Sequence, residues 1–247
     1  MNAQRKKFSG IVLIALILSG GGSLLFVGSG YGYNWGMWDL GDALSVLLWG
    51  VGAAMAGSVI STVGAVATRY SGKRGYTASF IGLFLSLAVL IAFGYLYFSA
   101  LHAPPLHDVS TDLEHPPMLV AHPGRLGASG PVAYPGGDAA KMQRQWYPDI
   151  KPLQVTTQPS AAYRKALETV KAMDGWTLQA ADSSQNRIMV TSTVPWFGIP
   201  VETVVRITPT DQGSRIDLRS ATLAGQTDMG LNAHRIRSFM DAYRSTD

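Results

Sequence analysis

The 247-residue chain contains no cysteine. That excludes disulfide frameworks, thiolate metal sites and cysteine nucleophiles together. Charge is missing from three long apolar runs, and charged residues make up only 15% of the chain. The basic residues are also unevenly placed. Arg5, Lys6, Lys7, Arg69, Lys73 and Arg74 lie in the first hundred residues with only Asp39 and Asp42 against them, whereas the remainder is balanced. The whole formal charge of +4 therefore sits beside the apolar runs. It reads as a topology signal, and no basic stripe with interleaved aromatics marks a nucleic-acid surface.

The apolar runs extend from about Phe8 to Val27, Ala43 to Thr68 and Ala78 to Ala100. Each has roughly the 20 residues that a helix needs to cross hydrocarbon, so residues 1–100 are expected to form a three-span anchor in the lipid bilayer. Run one exceeds a signal-peptide core and no Ala-x-Ala site follows it, so it is expected to stay. Lys and Arg flank the first run on its amino side and fill the loop between the second and third. The loop from Ser29 to Asp42 has neither. Positive flanks remain cytoplasmic, which predicts a cytoplasmic amino terminus and a periplasmic carboxyl-terminal domain, in the inner membrane of the cell. Tyr31, Tyr33, Trp35 and Trp38 suit the headgroup level. The Gly20-Gly21-Gly22 run predicts a bend, and the small residues of run two, from Gly50 to Gly64, predict close helix packing. Without ionisable groups at membrane depth, the spans read as an anchor or docking surface and not as an ion path.

Residues 101–160 hold ten of the thirteen prolines and read as an irregular wrapping segment. Residues 161–247 read as a helix, four strands and a helix. Tyr163, Leu167 and Val170 share a helical face. Rows from Trp176, Ile188, Val201 and Ile216 alternate with period two, and Ala233, Ile236, Met240 and Tyr243 recur at offsets of three and four. A turn at Thr210-Asp211-Gln212-Gly213 sets Arg206 opposite Asp217 and Val204 opposite Arg219, which predicts an exposed charged face. The fold class is α+β: three transmembrane helices, then a two-layer domain with a four-stranded antiparallel sheet and both helices on one face.

Two segments resemble the family known as domain of unknown function 1499. One is His107-Asp108-Val109-Ser110-Thr111-Asp112 followed by Pro116-Pro117. The other runs from Asp217-Leu218-Arg219-Ser220 through Gly225, Thr227-Asp228, Gly230 and Asn232 to Arg235-Ile236. Gly175-Trp176 and Arg206-Ile207 lie between them, and the resemblance spans about residues 107–243. Leu223 stands where the family often has Arg, and Val201-Glu202 where it often has paired acids. The resemblance implies no reaction, since the family has no assigned one.

The candidate ligand- or partner-binding residues are Asp108, Thr111, Asp112, Arg206, Arg219, Ser220, Thr222, Asp228, Asn232 and Arg235. Asp108, Ser110, Thr111 and Asp112 suit backbone capping. Asp228 and Asn232 suit the entry to the last helix. Arg219, Ser220, Thr222 and Arg235 could line an anion pocket with that helix start. A metal alternative uses His107, His115 and His122, although their spacing fits no standard motif. No catalytic residue and no cofactor is assigned, because the ordered half lacks a nucleophile with a positioned base. The sequence thus favours a non-enzymatic accessory or binding protein of the cell envelope, with a membrane protein complex or an anionic small ligand as partner. The competing reading is a membrane-tethered, metal-assisted hydrolase.

Overall fold

A computed structural model describes residues 7–121, 130–225 and 227–245. The chain divides into two compact units. One comprises Met1–Leu101 with Trp196–Gly198, the other His102–Pro195 with Ile199–Asp247.

In the first unit, α1 (Gly10–Asn34), α2 (Leu40–Ser71) and α3 (Tyr76–His102) are long and apolar enough to cross a membrane. α1 continues about two turns past the expected end of its span, through Tyr31 and Tyr33, and runs without interruption through Gly20-Gly21-Gly22. The glycines serve approach. A Cβ on Gly22 would lie 2.8 Å from the Ala54 amide nitrogen, and one on Gly50 2.6 Å from that of Phe26. Backbones this close gain van der Waals contact where the hydrophobic effect between helices is absent. Ser86 of α3 donates to Ser19 of α1 at 2.9 Å, both buried. Gly50→Leu should therefore force α1 and α2 apart at a cost of about 1–3 kcal/mol. Thermal melting of the chain in detergent would show it, with Gly52→Leu as the control, because a Cβ at Gly52 meets nothing within 4 Å. Equal melting of the two variants would refute the close contact.

The second unit is α+β, as the periodicity predicts. Its elements are β1 (Asp108–Ser110), β2 (Leu119–Ala121), β3 (Gly130–Val132), α4 (Gly137–Trp146), β4 (Leu153–Val155), α5 (Pro159–Ala172), β5 (Thr177–Asp182), β6 (Arg187–Thr193), β7 (Pro200–Thr210), β8 (Gly213–Thr222) and α6 (Leu231–Ser245). The four expected strands, β5–β8, form an antiparallel meander. Two short strands from the proline-rich segment extend it to six, with β1 and β4 sharing the free edge of β8 end to end. The segment read as irregular thus supplies two sheet strands, a separate β2–β3 hairpin and the helix α4.

The β7–β8 register places Arg206 opposite Asp217 and Val204 opposite Arg219, and the hairpin closes with Thr210 opposite Gly213, as expected. Ile188, Val190, Val205, Ile207, Ile216 and Leu218 form a helix-facing core with Ala166, Val170, Ile236 and Phe239. The opposite face does not lie exposed. β2 covers it with Leu119 against Val204, Met189 and Ala221. Asp217 and Arg219 are consequently 0% and 2% exposed, not a solvated charged row. The expected half-burial of the first strand holds at Trp176, which is half-buried and packs on the core beside Phe239, and fails beyond it. β5 is the sheet edge and its residues are exposed on both faces, Leu178 included.

Candidate functional site

Alternation along β8 decides which side chains can meet. Arg215, Asp217 and Arg219 point to one face of the sheet, Ser220 and Thr222 to the helix face. The ten candidate residues consequently fall into two clusters on opposite faces, and the expected anion pocket of Arg219 with Ser220, Thr222 and Arg235 is not brought together.

On the face covered by β2, β1 lies antiparallel to β8 with Asp108 beside Ala221 and Ser110 beside Arg219. Asp108 therefore reaches Arg219 diagonally. Arg219 donates from Nε and Nη2 to the two carboxylate oxygens at 3.0 and 2.7 Å, from Nη1 to the Pro117 carbonyl at 3.2 Å and from Nη2 to the Val132 carbonyl at 3.0 Å. The Tyr134 ring lies 5.4 Å from its guanidinium carbon. Burial raises the Asp108 carboxyl above the usual carboxylate range, against the hydrogen bonds and charge of Arg219. Burial and the Asp108 carboxylate push the Tyr134 phenol to about 12. A guanidinium bound at both ends of its fork and on two carbonyls has little left to offer a ligand. Arg219 is a fastener between β8, β1 and the proline-rich cover.

The next group along β8 is open to solvent on one side. Asp112 Oδ2 accepts from Arg206 Nη2 at 3.1 Å and lies 2.8 Å from Arg215 Nη2. Asp217 accepts from Arg206 Nη2 at 3.0 Å and from Arg215 Nε at 3.1 Å. The Asp112 Oδ1 atom accepts the Glu114 and His115 amides at 3.1 and 2.9 Å, the turn-capping role expected of it. Thr111 Oγ1 accepts from the Leu218 amide at 2.9 Å and donates to Asp217 at 3.4 Å. Arg215 was not foreseen, although its place two residues before Asp217 puts it on the same strand face. Gln143 of α4, also unforeseen, accepts the Ser110 amide and returns its own N–H to the Ser110 carbonyl at 2.6 Å. No local sequence signal announces that long-range pair.

Burial pushes the Asp112 carboxyl upward, but the His115 and Glu114 amides and then Arg215 and Arg206 outweigh it and hold the group below 3.8. The sign follows from linkage. The stability contributed by ionised Asp112 is present above 3.8 and is lost as pH falls through its lower folded value. Asp112→Asn should accordingly flatten the acid limb of the stability–pH profile below about pH 4. An unchanged acid limb would show that Asp112 is not held in this way.

On the helix face, the α6 entry has Asp228 accepting the Gly230 and Asn232 amides at 2.8 and 2.6 Å. The donors at this helix start are thereby already occupied by a carboxylate. Asn232 is turned inward. Its Oδ1 accepts from Ser220 at 2.8 Å, and its Nδ2 donates to Thr222 Oγ1 at 3.0 Å and to the His107 carbonyl at 2.9 Å. Thr203 and Ser220 hydroxyls lie 2.9 Å apart. Arg235 donates to the Thr193 carbonyl at 3.0 Å. Burial raises Asp228 and lowers Arg235.

Beside Asp112 the surface opens into a cleft of about 500 Å³ between the turn after β1 and the α4–β4 connection, with Arg144, Lys151, Arg215 and Glu114 on its walls. No group of three or more potential metal ligands exists among the described residues. His122, one of the three histidines of the metal alternative, lies outside the described residues.

Residues 108–243 match the family described as protein of unknown function (DUF1499). The chain belongs to the DUF1499 family. The matched stretch begins at the Asp108 that fastens Arg219 and ends at Tyr243, which is buried against the core. The DUF1499 domain thus takes in the proline-rich cover as well as the meander and its two helices. No curated protein matches the chain.

Proposed function

We propose that this protein is a non-enzymatic accessory or binding protein of the cell envelope, anchored in the inner membrane by α1–α3, with its amino terminus in the cytoplasm and its DUF1499 domain in the periplasm. One observation carries the orientation. The Ser9 amide donates to the Arg74 carbonyl at 3.0 Å, and the Arg74 amide to the Lys7 carbonyl at 3.1 Å. This bridge gathers the basic start of α1 and the basic α2–α3 loop at one end of the helices, where a positive-inside signal belongs. α3 starts beside that end, so its His102 end leads away from it.

The non-enzymatic reading is supported by how the charged groups are used. Asp108, Asp217, Arg206, Arg215 and Arg219 hold one another in place. A nucleophile needs a base held within reach and oriented by a third group. The Ser238 hydroxyl and the His234 imidazole lie 3.5 Å apart, but that pair is exposed on successive turns of α6. A periplasmically active alkaline phosphatase fused after Asp247, together with a membrane protein or lipid retained by the full-length chain in native mass spectrometry, is the expected result. A fusion active only in the cytosol, or a chain that always runs alone, contradicts it.

A further inference from the structure

Among the described residues of the DUF1499 domain, Lys141, Arg144, Lys151, Arg164 and Arg187 make no ion pair, and two of these five line one cleft. Arg144, in the last turn of α4, and Lys151, five residues beyond that helix, make no ion pair with any described residue. Both are exposed and both line the cleft beside Asp112. Arg215 lines it as well. Its Nε and Nη2 are bound to Asp217 and Asp112, and its side chain remains 33% exposed. The floor acid cannot serve as counter-ion for Arg144 and Lys151, since Asp112 already takes two amides and two guanidiniums. Glu114, on the other lip, is the single unpaired acid of the lining among the described residues. The cleft thus carries a net positive charge, presented by side chains from three separate stretches of chain.

The cleft has room for more than a lone inorganic ion. About 500 Å³ is far more than one inorganic ion fills and lies in the range of small-molecule pockets. Guanidinium forks match oxyanions in shape, and an ammonium adds a point charge. A phosphate ester carries about 1.5 to 2 negative charges at neutral pH when terminal, and Arg144 and Lys151 face it together, with Glu114 leaving the lining a net single positive charge. We propose that this cleft binds the phosphate group of an organic phosphate ester, with Arg144 and Lys151 as its counter-ions and Arg215, pinned by Asp112 and Asp217, presenting the edge that orients it. The inference rests on the binding-protein reading and gives it a ligand class. A phosphate group of this kind occurs as a singly charged diester in a glycerophospholipid headgroup and as a monoester in a soluble sugar or polyol phosphate.

The test uses full-length protein in an uncharged detergent, titrated calorimetrically with glycerol 3-phosphate, the moiety common to both sources. Binding that weakens as salt rises is expected, with a loss of at least about tenfold in the double variant Arg144→Gln/Lys151→Gln. Lys171→Gln, which alters an exposed α5 lysine paired with Glu168 away from the cleft, should bind as the wild type does. Both cleft side chains are exposed, so the double variant should melt at the wild-type temperature, and that melt is the check on folding. Native mass spectrometry from phosphatidylglycerol nanodiscs separates the sources: lipid retained by wild type and lost in the double variant assigns a headgroup, glycerol 3-phosphate binding alone a soluble ester. Absence of binding to both probes, or equal binding by the double variant, overturns the proposal. Either result would leave the fusion outcome and the copurification of a membrane protein untouched.

Discussion

Arg219→Ala should destabilise the DUF1499 domain by about 3–5 kcal/mol, because it leaves the Asp108 carboxylate buried without its partner. The geometry concentrates the loss. Four donor contacts disappear together, two to the carboxylate and two to the Pro117 and Val132 carbonyls, in a place where Arg219 is 2% exposed. Denaturation of the detergent-solubilised chain, with hydrogen exchange at the β8 amides as a local readout, measures it. Asp108→Ala should cost a similar amount. The apolar pair Asp108→Leu/Arg219→Met should recover much of the loss, since removing both charges removes the uncompensated desolvation. A loss below about 1 kcal/mol for Arg219→Ala is what a solvent-exposed pair would give, and would refute the role of Arg219 as a fastener.

The second large effect is expected at Asn232, which is 0% exposed. Asn232→Ala strips the Ser220 hydroxyl of its acceptor, and Thr222 Oγ1 and the His107 carbonyl of a donor. The His107 carbonyl keeps the Thr222 amide at 2.8 Å and the Ser220 hydroxyl keeps that of Thr203, so Thr222 Oγ1 is the group left without its partner, and a buried polar group left unpaired costs about 1–3 kcal/mol. Asn232→Asp is the informative companion. It keeps the shape and the acceptor facing Ser220 but removes both Nδ2 donations and sets a carboxylate near Asp228. If Asn232→Asp matched the wild type in stability, the amide donors would be dispensable and the hub reading wrong. Both variants should leave the cleft around Arg144 and Lys151 able to bind whatever it binds in the folded fraction, because the hub lies on the other face of the sheet.

The contrast between these two sites explains what the amino-acid order reveals by itself. Strand periodicity and one turn are local, so the pairing of Arg206 with Asp217 and of Val204 with Arg219 could be read from residues 201–220 alone. The burial of that face could not. Its cover comes from the β2–β3 pair, in a proline-rich stretch without periodicity, and strands of three residues are too short to announce themselves. Distance along the chain hides the Gln143–Ser110 and Arg219–Asp108 contacts for the same reason. Asp228 was legible as a cap because capping is a short-range rule, whereas the inward turn of Asn232 depends on hydroxyls ten or more residues away. Arg219 and Ser220 could have been separated in advance, since neighbours on a strand face opposite ways. In the anchor, length and lack of charge identify the three helices. Two further turns of α1 escape notice because glycine and serine weaken the apolar pattern from Ser29 to Gly32.

The shared edge of β8 also sets an order on biosynthesis. β1 and β4 leave the ribosome long before the strand that must receive them, 103 residues separating Asp108 from Asp211 at the turn that opens β8. Neither three-residue strand can pair earlier, and β8 is the last strand synthesised. Closure of the sheet is therefore a late, long-range event of the kind that slows folding. The three apolar helices are complete well before it, so their insertion can finish while β8 is still unmade, and β1 and β4 find their sheet partner only when the carboxyl-terminal hairpin arrives.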